Sequence, residues 1–276
     1  MTVRIADALA HARAQGLARL DAQLLLSRRL QQSRAWLLAH DDDVMPAQEW
    51  AAFESDVTRR AAGEPLAYIV GQREFHGLTL RVTPAVLVPR PETELLVEWG
   101  LEHLVARRAS SRPLTAIDLG TGSGAIALAI KHSHPAVRMM AVDRSQDALQ
   151  VARANAGALG LEVEFALSDW WVAAAGRTFD LALANPPYID ADDGHLQQLS
   201  HEPADALTPG RDGMSAIREV IQGAPMHLNA GAVLLVEHGY DQAPAVRDLL
   251  GRNGFFDIET RNDLAGIPRC TGAHRG

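Results

Sequence analysis

A chain of 276 residues with 26 Lys plus Arg against 34 Asp plus Glu has a formal net charge of −8. That balance lacks the basic surplus with which proteins grip duplex phosphates, so sequence-specific nucleic-acid binding is not expected. A hydrophobic fraction of 47%, a charged fraction of 22% and one cysteine exclude a disulfide framework and a Cys-rich zinc site, and suit a reducing cytoplasm.

The opening Met1–Asp7 stretch has no basic segment leading into an apolar core, and no later run is long enough to span a membrane. Residues 1–75 read as helices. Ile5, Leu9 and Ala12 share a face of the first, and Leu20, Leu24 and Leu25 begin the stripe of a second, with Asp21 as its expected N-cap. Ser33 is the expected cap of a short helix through Trp36, Leu37 and Leu38. Beyond Pro46, Trp50, Phe53 and Val57 recur at three- and four-residue spacing until Gly63 stops the run. No convergent ionisable residues occur here, so the segment reads as a small helical bundle that docks a partner.

Residues 76–90 read as a hairpin-bearing connector, in which Thr79–Thr83 alternates between Gly77 and Pro84. Pro89-Arg90-Pro91-Glu92-Thr93-Glu94 enters a helix with Leu95, Leu96, Trp99 and Val105 on its apolar side, and its acids suit the helix dipole. Arg90, held between two prolines, is compatible with lining a site and equally with capping or a structural ion pair. Within residues 91–276, strands and helices alternate from Thr115 onward, the pattern of a parallel α/β sheet. Strands are expected at 115–119, 137–142, 163–167, 179–184, 232–236 and 255–260, with Ser145 capping the helix that runs to Gly160. A last short strand falls near Cys270, but the polar, small-residue run 269–276 does not promise a strand that closes the sheet.

Four stretches carry chemistry. Gly120-Thr121-Gly122-Ser123-Gly124 follows a buried strand and opens a helix, where backbone N–H groups are free to face a ligand. Its spacing departs from the dinucleotide fingerprint, which places the third glycine where this chain has Ala125. Asp143 ends the next strand, roughly twenty residues on, where a carboxylate accepts both hydroxyls of a ribose. Asp169-Trp170 ends the third strand, placed to flank an adenine or simply to pack. Asn185-Pro186-Pro187-Tyr188 ends the fourth. There an amide oxygen, a carbonyl preceding a proline and an aromatic face together can hold a flat, NH2-bearing group. On the rule that such sheets bind ligands beyond the carboxyl ends of their strands, all four share one crevice. The eleven histidines are scattered without His-Glu-x-x-His spacing, so no metal is expected.

The pairing of Asp118–Gly124 with Asn185–Tyr188 resembles the class I S-adenosylmethionine-dependent methyltransferases that act on NH2 groups. Glu64–Gly71 with Glu74-Phe75, Val86–Glu94, Glu202-Pro203, Ala206-Leu207, Asp212-Gly213 and Glu237-His238-Gly239 resemble the release factor glutamine methyltransferases (HemK/PrmC type) in particular. That resemblance implies a Rossmann-like seven-stranded domain, a small all-α N-terminal domain and a β-hairpin connector. It also implies S-adenosyl-L-methionine as cofactor, held by Gly120, Thr121, Gly122, Ser123, Gly124, Asp143, Trp170 and Asn185. The acceptor would be the side-chain amide of the Gly-Gly-Gln glutamine of class 1 peptide chain release factors, held by Asn185, Pro186, Pro187 and Tyr188. Asn185, Pro186 and Tyr188 would be the catalytic residues. Three other readings remain: a ribosomal-protein glutamine methyltransferase, a DNA or RNA amino-methyltransferase, and a non-catalytic cofactor-binding docking protein.

Overall fold

Helical spacing of apolar residues governs the first part of the chain and strand-length apolar runs the remainder, and the chain separates into two units, Met1–Gln72 and Arg73–Gly276. The computed structural model describes residues 3–107, 112–210 and 212–276. The first unit holds α1 (Ile5–Ala14), α2 (Arg19–Leu30), α3 (Arg34–Ala39), α4 (Ala47–Ala61) and α5 (Leu66–Val70). Ile5, Ala8, Ala12, Leu25, Leu26, Leu37, Phe53 and Val57 form its core. Fully burying one of the larger aliphatic or aromatic side chains is worth roughly 1.5–3 kcal/mol. Ser33 caps α3 as expected, its Oγ accepting from Trp36 N at 3.1 Å.

Two expectations for this unit need correction. Asp21 is not a cap: α2 starts at Arg19, so Asp21 lies in its first turn and accepts from Arg60 Nε at 2.7 Å. Leu20 is accordingly half exposed, and the buried stripe runs through Ala22, Leu25 and Leu26. The five-residue α5, which follows Pro65 and ends at Gly71, is too short for periodicity to announce it.

The hairpin of β1 (Gln72–Phe75) and β2 (Leu78–Arg81) starts at the last residue of the first unit, and thus begins inside the stretch read as helical. There follow α6 (Glu94–Ala106), β3 (Thr115–Leu119), α7 (Ala125–Ser133), β4 (Arg138–Asp143), α8 (Gln146–Leu159), β5 (Glu164–Leu167) and β6 (Phe179–Ala184). The chain continues through α9 (Ala204–Leu207), α10 (Ser215–Gly223), β7 (Leu228–Glu237), α11 (Ala243–Arg252), β8 (Phe255–Asn262) and β9 (Pro268–Arg275). On α6 the buried residue near the end is Leu104, whereas Val105, expected on the apolar side, is 51% exposed.

The seven strands lie in the order β5-β4-β3-β6-β7-β9-β8. The pairs β5/β4, β4/β3, β3/β6 and β6/β7 are parallel, and β9 runs antiparallel to both neighbours. Every residue of β6 is buried, as a strand covered on both faces requires. Side chains alternate between two cores: Leu181, Leu183, Val233 and Leu235 face one, and Ala182, Ala184, Leu234 and Val236 the other.

The run 269–276 does close the sheet, contrary to its composition. β9 inserts between β7 and β8, with Cys270, Thr271 and Ala273 buried. Its small residues are what the place demands. A Cβ on Gly272 would come within 2.5 Å of Leu235 Cδ2 and 2.7 Å of Trp99 Cη2. Polarity misled here because backbone pairing, not side-chain bulk, builds the strand. Among the described residues, no helix is long and apolar enough to cross a membrane.

Candidate active site

Strand order reverses between β3 and β6, since the chain runs from β3 outward through β4 to β5 and then returns to β6 on the other side. Register aligns the strand ends there: Leu119 pairs with both Val142 and Ala184, and Asp143 pairs with Leu167. The next residues on each strand, Gly120, Ser168 and Asn185, therefore emerge side by side with Asp143. A cavity of about 840 Å³ opens at this point. Gly120–Ser123, Asp143, Asp169, Trp170, Asn185 and Pro187 line it, as do Arg90, Thr93 and the 203–206 segment. Gly124, Pro186 and Tyr188 are not among its lining residues.

The first wall is the turn after β3. Gly120 has φ +76°, and the Trp170 ring lies 3.4 Å from where its Cβ would stand, so a side chain there would meet both strain and the indole. Trp170 itself adopts φ +42°, rare for a bulky residue. Ser168 holds that turn, its Oγ donating to the Trp170 carbonyl at 3.0 Å and accepting from Ala173 N at 2.9 Å. The neighbouring Trp171 is core packing, with Nε1 donating to the Val220 carbonyl.

Two carboxylates serve this turn, Asp118 buried and Asp143 half-buried. Asp143 accepts from Gly122 N through Oδ2 and from Ser145 N through Oδ1, each at 2.8 Å. Burial raises its pKa against the pull of those hydrogen bonds. Asp118 accepts from Thr121 Oγ1 at 2.6 Å and Ala127 N at 3.2 Å through Oδ2, while its buried Oδ1 has no partner among the described residues. Desolvation pushes Asp118 up to about 7, opposed by its bonds from Thr121 and Ala127. Its place near the end of a strand, two residues before the first glycine, is the signal that could have singled it out.

The facing wall is the end of β6. Asn185 Nδ2 donates to Thr93 Oγ1 at 3.2 Å. Tyr188 packs against the core behind, and its hydroxyl donates to Glu237 Oε1 at 3.2 Å. Its main-chain oxygen accepts from Gln242 Nε2 at 3.0 Å. Burial pushes Glu237 up to about 7, against stabilising contacts from the Thr93 and Tyr188 hydroxyls and the charge of Arg269. Glu237 Oε2 has no hydrogen-bond partner among the described residues.

Arg90 proves to be both an ion-pair member and a lining residue. It pairs with Glu202, which is buried and also accepts from Val88 N at 3.0 Å. Thr93, Glu202 and Glu237 were legible in the sequence only as parts of longer motifs; no spacing assigns them a partner.

The lining charges favour a cationic ligand: Asp143, Asp147, Asp169, Asp205 and Glu219 stand against Arg90 and Arg144. Both of those arginines are themselves paired, with Glu202 and Asp205.

Known proteins match in the same two pieces. The PrmC N-terminal domain matches residues 4–71, and the methyltransferase small domain matches residues 93–238. In fold, the chain is similar to a methyltransferase from Pyrococcus furiosus, with a TM-score of 0.53 and 15% identity over 72% of this chain and 90% of that one. It is also similar to the T. thermophilus 16S rRNA N2 G1207 methyltransferase in complex with AdoMet and guanosine, with a TM-score of 0.57 and 18% identity over 74% of this chain and 50% of that one. The protein is thus a methyltransferase with a helical N-terminal domain. It is 48% identical over 263 residues to the release factor glutamine methyltransferase of Bordetella pertussis, covering 94% of this chain and 96% of that protein. To that of Escherichia coli it is 39% identical over 268 residues, covering 96% and 95%. The chain belongs to the release factor glutamine methyltransferase family.

Proposed function

We propose that this protein methylates N5 of the glutamine side chain in the Gly-Gly-Gln motif of class 1 release factors, in the cytoplasm, with S-adenosyl-L-methionine as donor. The observation that carries the reading is the Asn185 amide, held by Thr93 at the strand-order switch point beside the glycine turn. The residues suit the donor. The acid-rich lining complements a cation, and the Gly120 backbone leaves room for close approach. Gly120–Gly124 and Asp143 would hold it, with Asp143 on the ribose hydroxyls, Trp170 beside the adenine and Asn185 near the transferable group. When bound, the donor supplies a methyl group on a positively charged sulfur, already activated for transfer.

The chain's own residues orient the acceptor. An amide nitrogen is a poor nucleophile because its lone pair is delocalised into the carbonyl. Asn185 Oδ1 and the Pro186 carbonyl each accept one N–H of the glutamine NH2, which aims the nitrogen and stabilises positive charge as it develops. Pro187 has no N–H to compete for the Pro186 carbonyl. Tyr188, anchored by Glu237 and Gln242, offers its ring as a flat face for the amide. The helical unit docks the release factor. Mass spectrometry of a release factor after incubation with enzyme and donor tests this: one added methyl on the Gly-Gly-Gln glutamine is expected. Label on a ribosomal protein or RNA instead would replace the reading.

A further inference from the structure

An asparagine side chain presents an oxygen or an NH2 according to a 180° flip, and only the oxygen accepts from an NH2 substrate. Asn185 sits at the cavity wall, so the flip has to be decided by what stands behind it. Its sole side-chain partner among the described residues is Thr93 Oγ1, which is buried and also lines the cavity. A hydroxyl has one proton to donate and lone pairs to accept with. It would welcome either end of the amide unless something claims its proton. The carboxylate of Glu237 also acts on that hydroxyl; it is 2% exposed, with Tyr188 on Oε1 and no hydrogen-bond partner on Oε2 among the described residues. An ionised carboxylate only accepts. In that form it attracts the Thr93 proton and leaves the hydroxyl's lone pairs to Asn185 Nδ2, which donates to Thr93 Oγ1 at 3.2 Å, so that Asn185 Oδ1 is the end left for the cavity.

We propose that Thr93, polarised by Glu237, is the positioning residue that fixes the Asn185 amide with its oxygen facing the acceptor, an inference that rests on the reading of Asn185 as the cradle for the glutamine NH2. Glu237 does not line the cavity, and Thr93 acts through Asn185. Replacing the Glu237 carboxylate by an amide supplies a donor to Thr93, frees the hydroxyl to donate to Asn185 Oδ1, and so favours the wrong flip.

The test compares Thr93→Val, Thr93→Ser and Glu237→Gln with the wild type in steady-state methylation of a release factor, with donor affinity by calorimetry and Tm by calorimetric melting. Thr93→Val conserves shape and is expected to lower kcat by about 10- to 100-fold, with donor Kd within about twofold. Thr93→Ser should restore kcat to within about threefold of wild type, and Glu237→Gln should fall with Thr93→Val. Wild-type kcat in Thr93→Val overturns the proposal. So does a Thr93→Ser variant as slow as Thr93→Val, or a loss that follows donor affinity and Tm rather than kcat. Failure of the wild type to methylate the glutamine is a different result and would instead remove the reading beneath it.

Discussion

The adjacent strands β6 and β7 bury a carboxylate at opposite ends of the sheet, and the two are treated in opposite ways. Asp180, near the start of β6, is fully buried and accepts from Arg112 Nη1 and Nη2 at 2.7 and 2.6 Å, from Thr115 N at 2.9 Å and from Asn229 Nδ2 at 3.0 Å. Desolvation works to raise its pKa, but those bonds outweigh it and hold the group at about 2. Glu237, at the end of β7, accepts from the Tyr188 hydroxyl and is pushed up to about 7. Where a buried acid is only scaffold, every lone pair is supplied with a donor. At Glu237, beside the site, one oxygen has no hydrogen-bond partner among the described residues, and the acid keeps the capacity to pull on its neighbours.

The sharpest way to separate the two ends is Asn185→Ala. It should reduce turnover on the order of 10²- to 10³-fold, as loss of a charge-stabilising acceptor does, with donor Kd nearly unchanged by calorimetry. Next, Asp180→Ala should cost about 3 kcal/mol in urea unfolding, because Arg112, Thr115 and Asn229 lose their shared acceptor. Donor affinity of the folded variant should remain.

The third contrast is in pH. The folded pKa of Asp180 lies below its ordinary 3.8, at about 2, so its contribution of roughly 2 kcal/mol is present above pH 3.8 and lost as pH falls through 2. Glu237 has the opposite sign. Its folded pKa lies above its ordinary 4.5, at about 7, so ionisation costs stability increasingly between those values. Relative to Glu237→Gln, the wild type should therefore weaken by up to ~3 kcal/mol as pH rises through that window, in unfolding titrations. The smallest effect is expected at Asp143→Ala, which should weaken donor binding by about tenfold while turnover at saturating donor changes less.

The fold was legible where local chemistry and tertiary role agree. The apolar run Phe179–Ala184 is a strand bounded as expected, and Ser145 caps α8 by accepting from Ala148 N at 3.2 Å. It was illegible where a neighbour distant in sequence decides. The run 269–276 looked too polar for a strand until Trp99 and Leu235 explain why Gly272 must be small. Likewise the glycine turn, Asp143 and Asn185 announce themselves by standing at strand ends, whereas Thr93 looks like one more polar residue in a helix entrance. Only the meeting of Asn185 with Thr93 across 92 positions gives that hydroxyl a role.

The pair Arg90–Glu202 joins residues 112 apart, and the same carboxylate reaches Val88 across 114. Closing a loop of that length forfeits chain entropy before any contact repays it, and this contact is a few hydrogen bonds rather than a buried core. The expected consequence is that this contact forms late as the chain folds, after the parallel strands have paired. It is likewise expected to open before the sheet does, which earlier hydrogen exchange at Val88 N than at the β6 amides would show, and competence to bind would then be a less durable property than the fold itself.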